Sequence, residues 1–159
     1  MIYREARTSD VPAMAAIRAK TWGDADYWIT RISQYMDGTN NPRHALAPRV
    51  LYVAADGDAL AGIVAGHLTR RHGCDGELEW IDVAPSHRGT GIAAELLAHL
   101  ARWFVAQQAF RVCVDVDPEN ARARRFYSRH GAIPLNPHWL VWSDIRMAGD
   151  CGVSPWVSD

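Results

Sequence analysis

Hydrophobic and polar positions follow two rhythms along this 159-residue chain, and the change from one to the other predicts its elements. Residues 2–5 suit a short first strand. Any of Thr8, Ser9 and Asp10 can cap a following helix that carries Val11, Met14 and Ile17 on one face, with Pro12 tolerated in its first turn. Residues 22–36 predict a second helix, with Trp28, Ile32 and Met36 spaced four apart, and the polar run 37–42 ends it. Two compact apolar runs, 50–55 and 59–68, flank Asp56-Gly57-Asp58 and predict a hairpin. A polar stretch over 70–76 leads into another strand at 77–83, so the middle of the chain reads as an antiparallel meander. From Gly91 the period becomes helical: Ile92, Leu96, Leu100 and Trp103 form a stripe flanked by Leu97 and Phe104, which predicts a helix packed on the sheet. A β-rich run at 110–116 precedes Asp117-Pro118-Glu119-Asn120, a helix start, and Gly131 stands where a glycine ends that helix. Runs at 133–135 and 139–147 predict closing strands, while 149–159 carry no regular signal.

Composition narrows the class. With 48% hydrophobic residues the chain can bury a core of its own, and we expect one domain over 1–148 followed by a C-terminal tail, 149–159. Seventeen Lys and Arg against 18 Asp and Glu leave a net charge of -1, so neither nucleic acid nor a membrane surface is expected as partner and any anion site must be local. The first residues lack the basic-then-apolar pattern of a signal peptide and no apolar run is long enough to span a bilayer, which makes a cytoplasmic location the expectation. Cys74, Cys113 and Cys151 are odd in number and scattered, which argues against a disulfide framework. Of seven tryptophans, several could line a pocket.

The stretch Val83-Ala84-Pro85-Ser86-His87-Arg88-Gly89-Thr90-Gly91-Ile92-Ala93 joins a strand end to a helix start. Glycines in such a turn let several backbone N–H groups converge on one spot, and the helix opening there adds unpaired donors and the positive end of its dipole. Arg88 contributes a fork of charged donors suited to phosphate oxygens. An ordinary strand-to-helix connection with a surface arginine is the plainer alternative. Gly89 to Ala94 also fits the dinucleotide pattern G-x-G-x-x-A, with Asp115 further on, but that fingerprint needs a strand running straight into the first glycine, and residues 84–88 intervene. Later in the chain, Asn120 and Tyr127 lie about two helical turns apart, on one face, with the small Ala123 between them. They form either a ligand-facing ridge or simply an N-cap and a buried aromatic. Arg122, Arg124, Arg125 and Arg129 read as a solvated basic face. His67, His72 and Cys74 follow no zinc spacing, so no metal is expected, and Cys113 reads as core packing.

Two motifs in order carry a family resemblance. Arg88-Gly89-Thr90-Gly91-Ile92-Ala93, and then Asn120, Ala123, Phe126-Tyr127 and Gly131, resemble the paired motifs of the GNAT superfamily of acyl-CoA-dependent N-acetyltransferases. The resemblance covers the core from Ile2 to Met147 and is weakest over 22–48. It implies an α/β (α+β) fold, a mixed, mainly antiparallel twisted sheet flanked by helices on both faces. It also implies acetyl-CoA as co-substrate and direct transfer of the acetyl group to a primary amine, on a small molecule or a peptide. By the same resemblance Arg88, Gly89, Thr90, Gly91, Ile92 and Ala93 would hold the pyrophosphate; the alternative to a solvated basic face is that His87, Arg88 and one of the later arginines hold the 3′-phosphate of CoA. Asn120 would hold the pantetheine region, a backbone N–H near Val83 would polarise the thioester carbonyl, and Tyr127 would protonate the departing thiolate.

An amine acceptor is mostly ammonium at neutral pH, so a base is required. Glu79 is the first choice, with Glu77 or water as alternatives; period-2 alternation puts Glu77, Glu79, Ile81 and Val83 on one face and Trp80 and Asp82 on the other, unless a bulge breaks the phase. Glu77 reads first as a solvated strand-end charge. Trp22, Asp24, Asp26, Tyr27 and Trp28 would suit a cationic acceptor, or simply helix packing. A homodimer is common among similar proteins, and nothing in the sequence establishes one. The rival functions are a non-catalytic acyl-CoA-binding module and a dinucleotide-binding protein.

Overall fold

A computed structural model describes residues 1–149; Cys151 and the expected tail lie outside the described residues, apart from Gly149, which closes a 3-10 turn over Ile145–Gly149. The strands are β1 (Ile2–Glu5), β2 (Ala45–Asp56), β3 (Ala59–Thr69), β4 (Gly76–Val83), β5 (Val112–Asp115), β6 (Ile133–Asn136) and β7 (Trp139–Trp142). The helices are α1 (Val11–Trp22), α2 (Ala25–Asp37), α3 (Ile92–Ala106) and α4 (Ala121–Arg129). One seven-stranded sheet runs in the order β1-β2-β3-β4-β5-β7-β6, antiparallel throughout except where β4 meets β5. The expected mixed sheet with helices on both faces is what the chain forms.

Burial on both faces explains why the two hairpin strands read as continuous apolar runs. Leu51, Val53, Ile63, Ala65 and Trp80 pack with α1 and α2, while Val50, Ala54, Ala61, Val64 and Leu78 pack with α3 on the opposite face. Gly62, Gly66 and Gly76 face the side chains of helix α3, which fill the space a Cβ would take. A Cβ on Gly76 would stand 2.4 Å from the Phe104 ring. The predicted α3 stripe is buried as expected, with Trp103 at its margin.

Several features differ from expectation, among them the start of β2 at Ala45 rather than residue 50. The helix predicted from residue 22 starts later, because Trp22 ends α1, Gly23 turns the chain at φ 68° and Asp24 caps α2 by accepting from the Tyr27 N–H at 3.2 Å. Its buried stripe is Trp28, Ile32 and Tyr35, with Met36 only partly covered. The closing run stops as strand at Trp142.

A further difference sits on β4. Ala65 pairs with Trp80 and Gly66 with Leu78, so Glu79 is the extra residue of a bulge. Strict alternation from Glu77 to Val83 is therefore broken. Ile81 and Val83 join the core under α3, whereas Glu77 and Glu79 gather with His67, on the side of Trp80 and Asp82 that faces α1 and α2.

Candidate active site

The parallel ladder between β4 and β5 is short. It pairs Gly76, Glu77 and Leu78 with Val112, Cys113 and Val114 and then stops, while β4 runs on to Val83. The strands splay apart at their C-terminal ends, and a cavity of about 1030 Å³ opens there between the starts of α3 and α4. Such a position, beyond the carboxyl ends of parallel strands, is where open sheets bind ligands, and the volume reaches the upper end of the usual range for ligand pockets.

Backbone polarity in the splay follows from the pairing. The Ala84 N–H donates to Ala61 O at 2.7 Å, which makes Gly62 and Val83 a non-hydrogen-bonded pair. Val83 therefore turns its own N–H away from β3, toward the gap left by β5. Its carbonyl, on that same side, accepts from Arg88 Nε at 3.3 Å.

One end of the cavity is the glycine turn. Gly89 and Gly91 stand at φ 77° and 83°, backbone that favours glycine, and Gly91 is the N-cap of α3. A glycine cap brings no side-chain acceptor, so among the described residues no hydrogen bond engages the amides of Gly89, Thr90, Gly91, Ile92 and Ala93. These amides suit an anion with several oxygens, such as a pyrophosphate. The turn is held from behind: the Thr90 hydroxyl donates to His87 O, and His87 Nε2 lies 2.9 Å from Asp56 Oδ2. That contact keeps the Asp56 carboxyl below its ordinary range and engages His87, one of the expected phosphate contacts.

Asn120, Ala123 and Tyr127 all line the cavity, as a ridge on one face of α4 requires. Asn120 is also the N-cap, its Oδ1 accepting from the Ala123 N–H at 3.1 Å, which leaves its NH₂ group for another partner. Tyr127 is 6% exposed and meets Trp142 edge-on. Among the described residues nothing hydrogen-bonds its hydroxyl. Burial, and then the charge of Asp82, push the phenol well above its ordinary range, with Arg18 opposing. The hydroxyl stays protonated.

The opposite wall is charged and largely dry. Glu77 is not the solvated charge its position promised: it is 4% exposed, with Arg71 Nε at 3.1 Å and His67 Nε2 at 3.7 Å. Glu79 lines the cavity without a hydrogen bond of its own among the described residues, and burial raises its carboxyl above the ordinary range, His67, Arg31 and Arg18 opposing. Asp82 is held by Arg18 at 2.5 Å. The Arg18 guanidinium lies 4.3 Å over Trp28 and 5.5 Å over Trp80, so these aromatic faces are covered from within the protein. Of the aromatic and acidic residues expected to meet a cationic acceptor, Trp22 alone lines the cavity.

Residues 10–132 match the profile of the Acetyltransferase (GNAT) family. The chain belongs to that family. An uncharacterized N-acetyltransferase of Mycobacterium bovis and its counterpart in Mycobacterium tuberculosis are each 30% identical to this GNAT domain over 120 residues, 76% of this chain and 70% of theirs. Among solved structures, the aminoglycoside 6′-acetyltransferase type Ii superposes with a TM-score of 0.72 at 18% identity, covering 91% of this chain and 97% of that one. The PaiA N-acetyltransferase of Thermoplasma acidophilum, solved with coenzyme A, gives 0.68 at 11% identity, covering 88% and 96%. At these identities the likeness is one of fold.

Sequence reasoning missed Arg18 and Asp82 in the cavity wall and the buried Tyr35–His67 pair beside Glu77 and Glu79. Two left a trace. Arg18 continues the buried stripe Val11, Met14, Ala15 of α1, and His67 interrupts an apolar strand, so each is a polar residue at a core position. Among the described residues no helix is long and apolar enough to cross a membrane.

Proposed function

We propose that this chain is an N-acetyltransferase that transfers the acetyl group of acetyl-CoA directly to a primary amine on a small molecule or a peptide. The observation that carries the proposal is the splay of β4 and β5, which opens one cavity onto the free amides at 89–93, the Tyr127 hydroxyl and the Glu79 carboxylate. Bound there, acetyl-CoA supplies a thioester carbonyl for the amine to attack and a thiolate that leaves.

The residues divide the work. The amides of Gly89, Thr90, Gly91, Ile92 and Ala93, with Arg88, bind the pyrophosphate, and the Asn120 NH₂ donates to an amide carbonyl of the pantetheine arm. The Val83 N–H stabilises negative charge developing on the carbonyl oxygen. Glu79 takes one proton from the acceptor ammonium, its raised pKa making it the stronger base once ionised. Nitrogen then bonds to the carbonyl carbon, the carbon–sulfur bond breaks with its electron pair on sulfur, Tyr127 gives that sulfur a proton, and the acylated nitrogen sheds its surplus proton to solvent, which returns one to the Tyr127 oxygen. No covalent enzyme intermediate is required. The family membership and the N-acetyltransferase relatives support this reading.

Incubating the protein with acetyl-CoA and, in turn, spermidine, kanamycin, L-lysine and a peptide with a free N-terminus, while following thiol release, tests it. Amine-dependent thiol release is expected. Saturable acetyl-CoA binding by calorimetry with no turnover on any amine would favour a binding module instead, and NAD binding without acetyl-CoA binding would refute the cradle assignment.

A further inference from the structure

His67 is fully buried on β3, and its Nε2 has no hydrogen-bond partner. A buried polar atom left in this state calls for an explanation. The other ring nitrogen, Nδ1, lies 2.8 Å from the hydroxyl of Tyr35, itself fully buried on α2. That contact determines where the imidazole proton sits. Tyr35 has no second partner among the described residues, and burial keeps its phenol protonated, so its O–H donates to Nδ1. The imidazole proton is therefore on Nε2, as a neutral donor. Protonating Nδ1 as well would turn that contact around and leave the Tyr35 O–H without an acceptor in dry surroundings.

Two carboxylates face this donor. The side-chain ligand atoms of His67, Glu77 and Glu79 all lie within 4.8 Å of one another, the two glutamates sharing one side of β4 as alternation requires while the bulge turns Ile81 and Val83 to the other. Glu77 is already held by Arg71. Glu79 is the acceptor without a donor, and His67 Nε2 is the donor without an acceptor. A rotamer change or one bridging water closes the distance between them.

We propose that His67, locked in its Nε2–H form by Tyr35, is a positioning residue: it anchors one oxygen of the ionised Glu79 carboxylate and leaves the other toward the acceptor amine. His67 keeps its proton throughout, and the ammonium proton goes to the outer Glu79 oxygen. This proposal rests on Glu79 being the base. The titratable and charged groups facing Glu79 are Glu77 on its own strand, His67 from β3, Arg31 from α2 and Arg18 from α1. Of these, His67 alone is a neutral donor whose removal leaves every formal charge in place. The trio needs no metal, because the Arg71 guanidinium already supplies a fixed cation beside Glu77.

The test uses the full chain, labelled for NMR at glutamate carboxyl carbons and histidine nitrogens, with circular dichroism to verify folding. In the wild type, the histidine nitrogen signals should place the His67 ring proton on Nε2. His67→Leu should move the Glu79 titration to higher pH, since a donor to the charged form is lost, and His67→Gln should bring it back. Tyr35→Phe, which keeps the ring buried, should give a mixture of tautomers. With the acceptor that turns over fastest among the four amines, His67→Leu should move the acid limb of kcat/KM the same way, a loss of about tenfold below the limb for each pH unit moved. In Glu79→Gln it should move nothing. An Nδ1–H or doubly protonated His67, an unmoved Glu79 titration, or stoichiometric zinc that the variant loses would overturn the proposal. An unchanged pH profile in Glu79→Gln alone would instead remove Glu79 as the base.

Discussion

Replacing Arg18 by Met keeps a long side chain among Trp22, Trp28 and Trp80 but removes the only hydrogen-bond partner, among the described residues, of the Asp82 carboxylate. The side chains of the pair are 9% and 16% exposed, so water replaces little of what is lost. Breaking a buried pair from one side costs about 3–5 kcal/mol, because the remaining charge is left uncompensated. For a chain of this size that corresponds to a fall in Tm on the order of 10 °C. The pH dependence has a definite sign. Burial raises the Asp82 carboxyl above its ordinary value, while the charge and hydrogen bond of Arg18 pull it back down. A raised folded-state pKa gives stability that is present below the unfolded pKa and lost as pH rises through the folded one. Without Arg18 the folded value climbs further, so the variant's deficit is greatest at neutral pH and shrinks on acidification toward the ordinary carboxylate range. Urea melts of both proteins at about pH 7 and about pH 5 read this directly. A loss under about 1 kcal/mol at neutral pH, or a deficit that widens in acid, would refute the assignment of a buried, desolvated pair. The double variant Arg18→Met with Asp82→Leu should recover most of the loss.

Three further changes address the rest of the molecule. Tyr127→Phe should leave acetyl-CoA affinity and stability nearly unchanged, since the hydroxyl has no partner among the described residues, while kcat falls about 10²–10⁴-fold; equal turnover removes Tyr127 from the acid role. Gly91→Val forces a β-branched residue into backbone at φ 83°, although its Cβ would meet no atom within 4 Å. The variant should lose acetyl-CoA binding by calorimetry, and full affinity in a folded variant would end the case for the cradle. Gly76→Ala puts a methyl group 2.4 Å from Phe104 and should cost about 1–3 kcal/mol in a denaturant melt without altering KM for acetyl-CoA; unchanged stability would mean α3 can withdraw freely from the sheet.

What the sequence by itself determined is local. Apolar spacing marked out the strands and helices, with the boundary at Gly23, the α2 stripe and the end of β7 displaced by a few residues, because cap and turn geometry depends on single side chains rather than on period. The glycine turn at 89–91 and the Asn120-to-Tyr127 spacing were equally legible, since each is built within one short segment. Pairing between distant segments carries no such signal. Only the tertiary structure decided that β3 forces a bulge at Glu79, which takes Glu77 and Glu79 out of phase with Ile81 and Val83. Contacts across the fold likewise joined Arg18 to Asp82, 64 residues away, and His67 to Tyr35, 32 residues away. The physical reason is that burial sets the protonation and partnership of these groups, and burial is a property of packed elements rather than of any one of them.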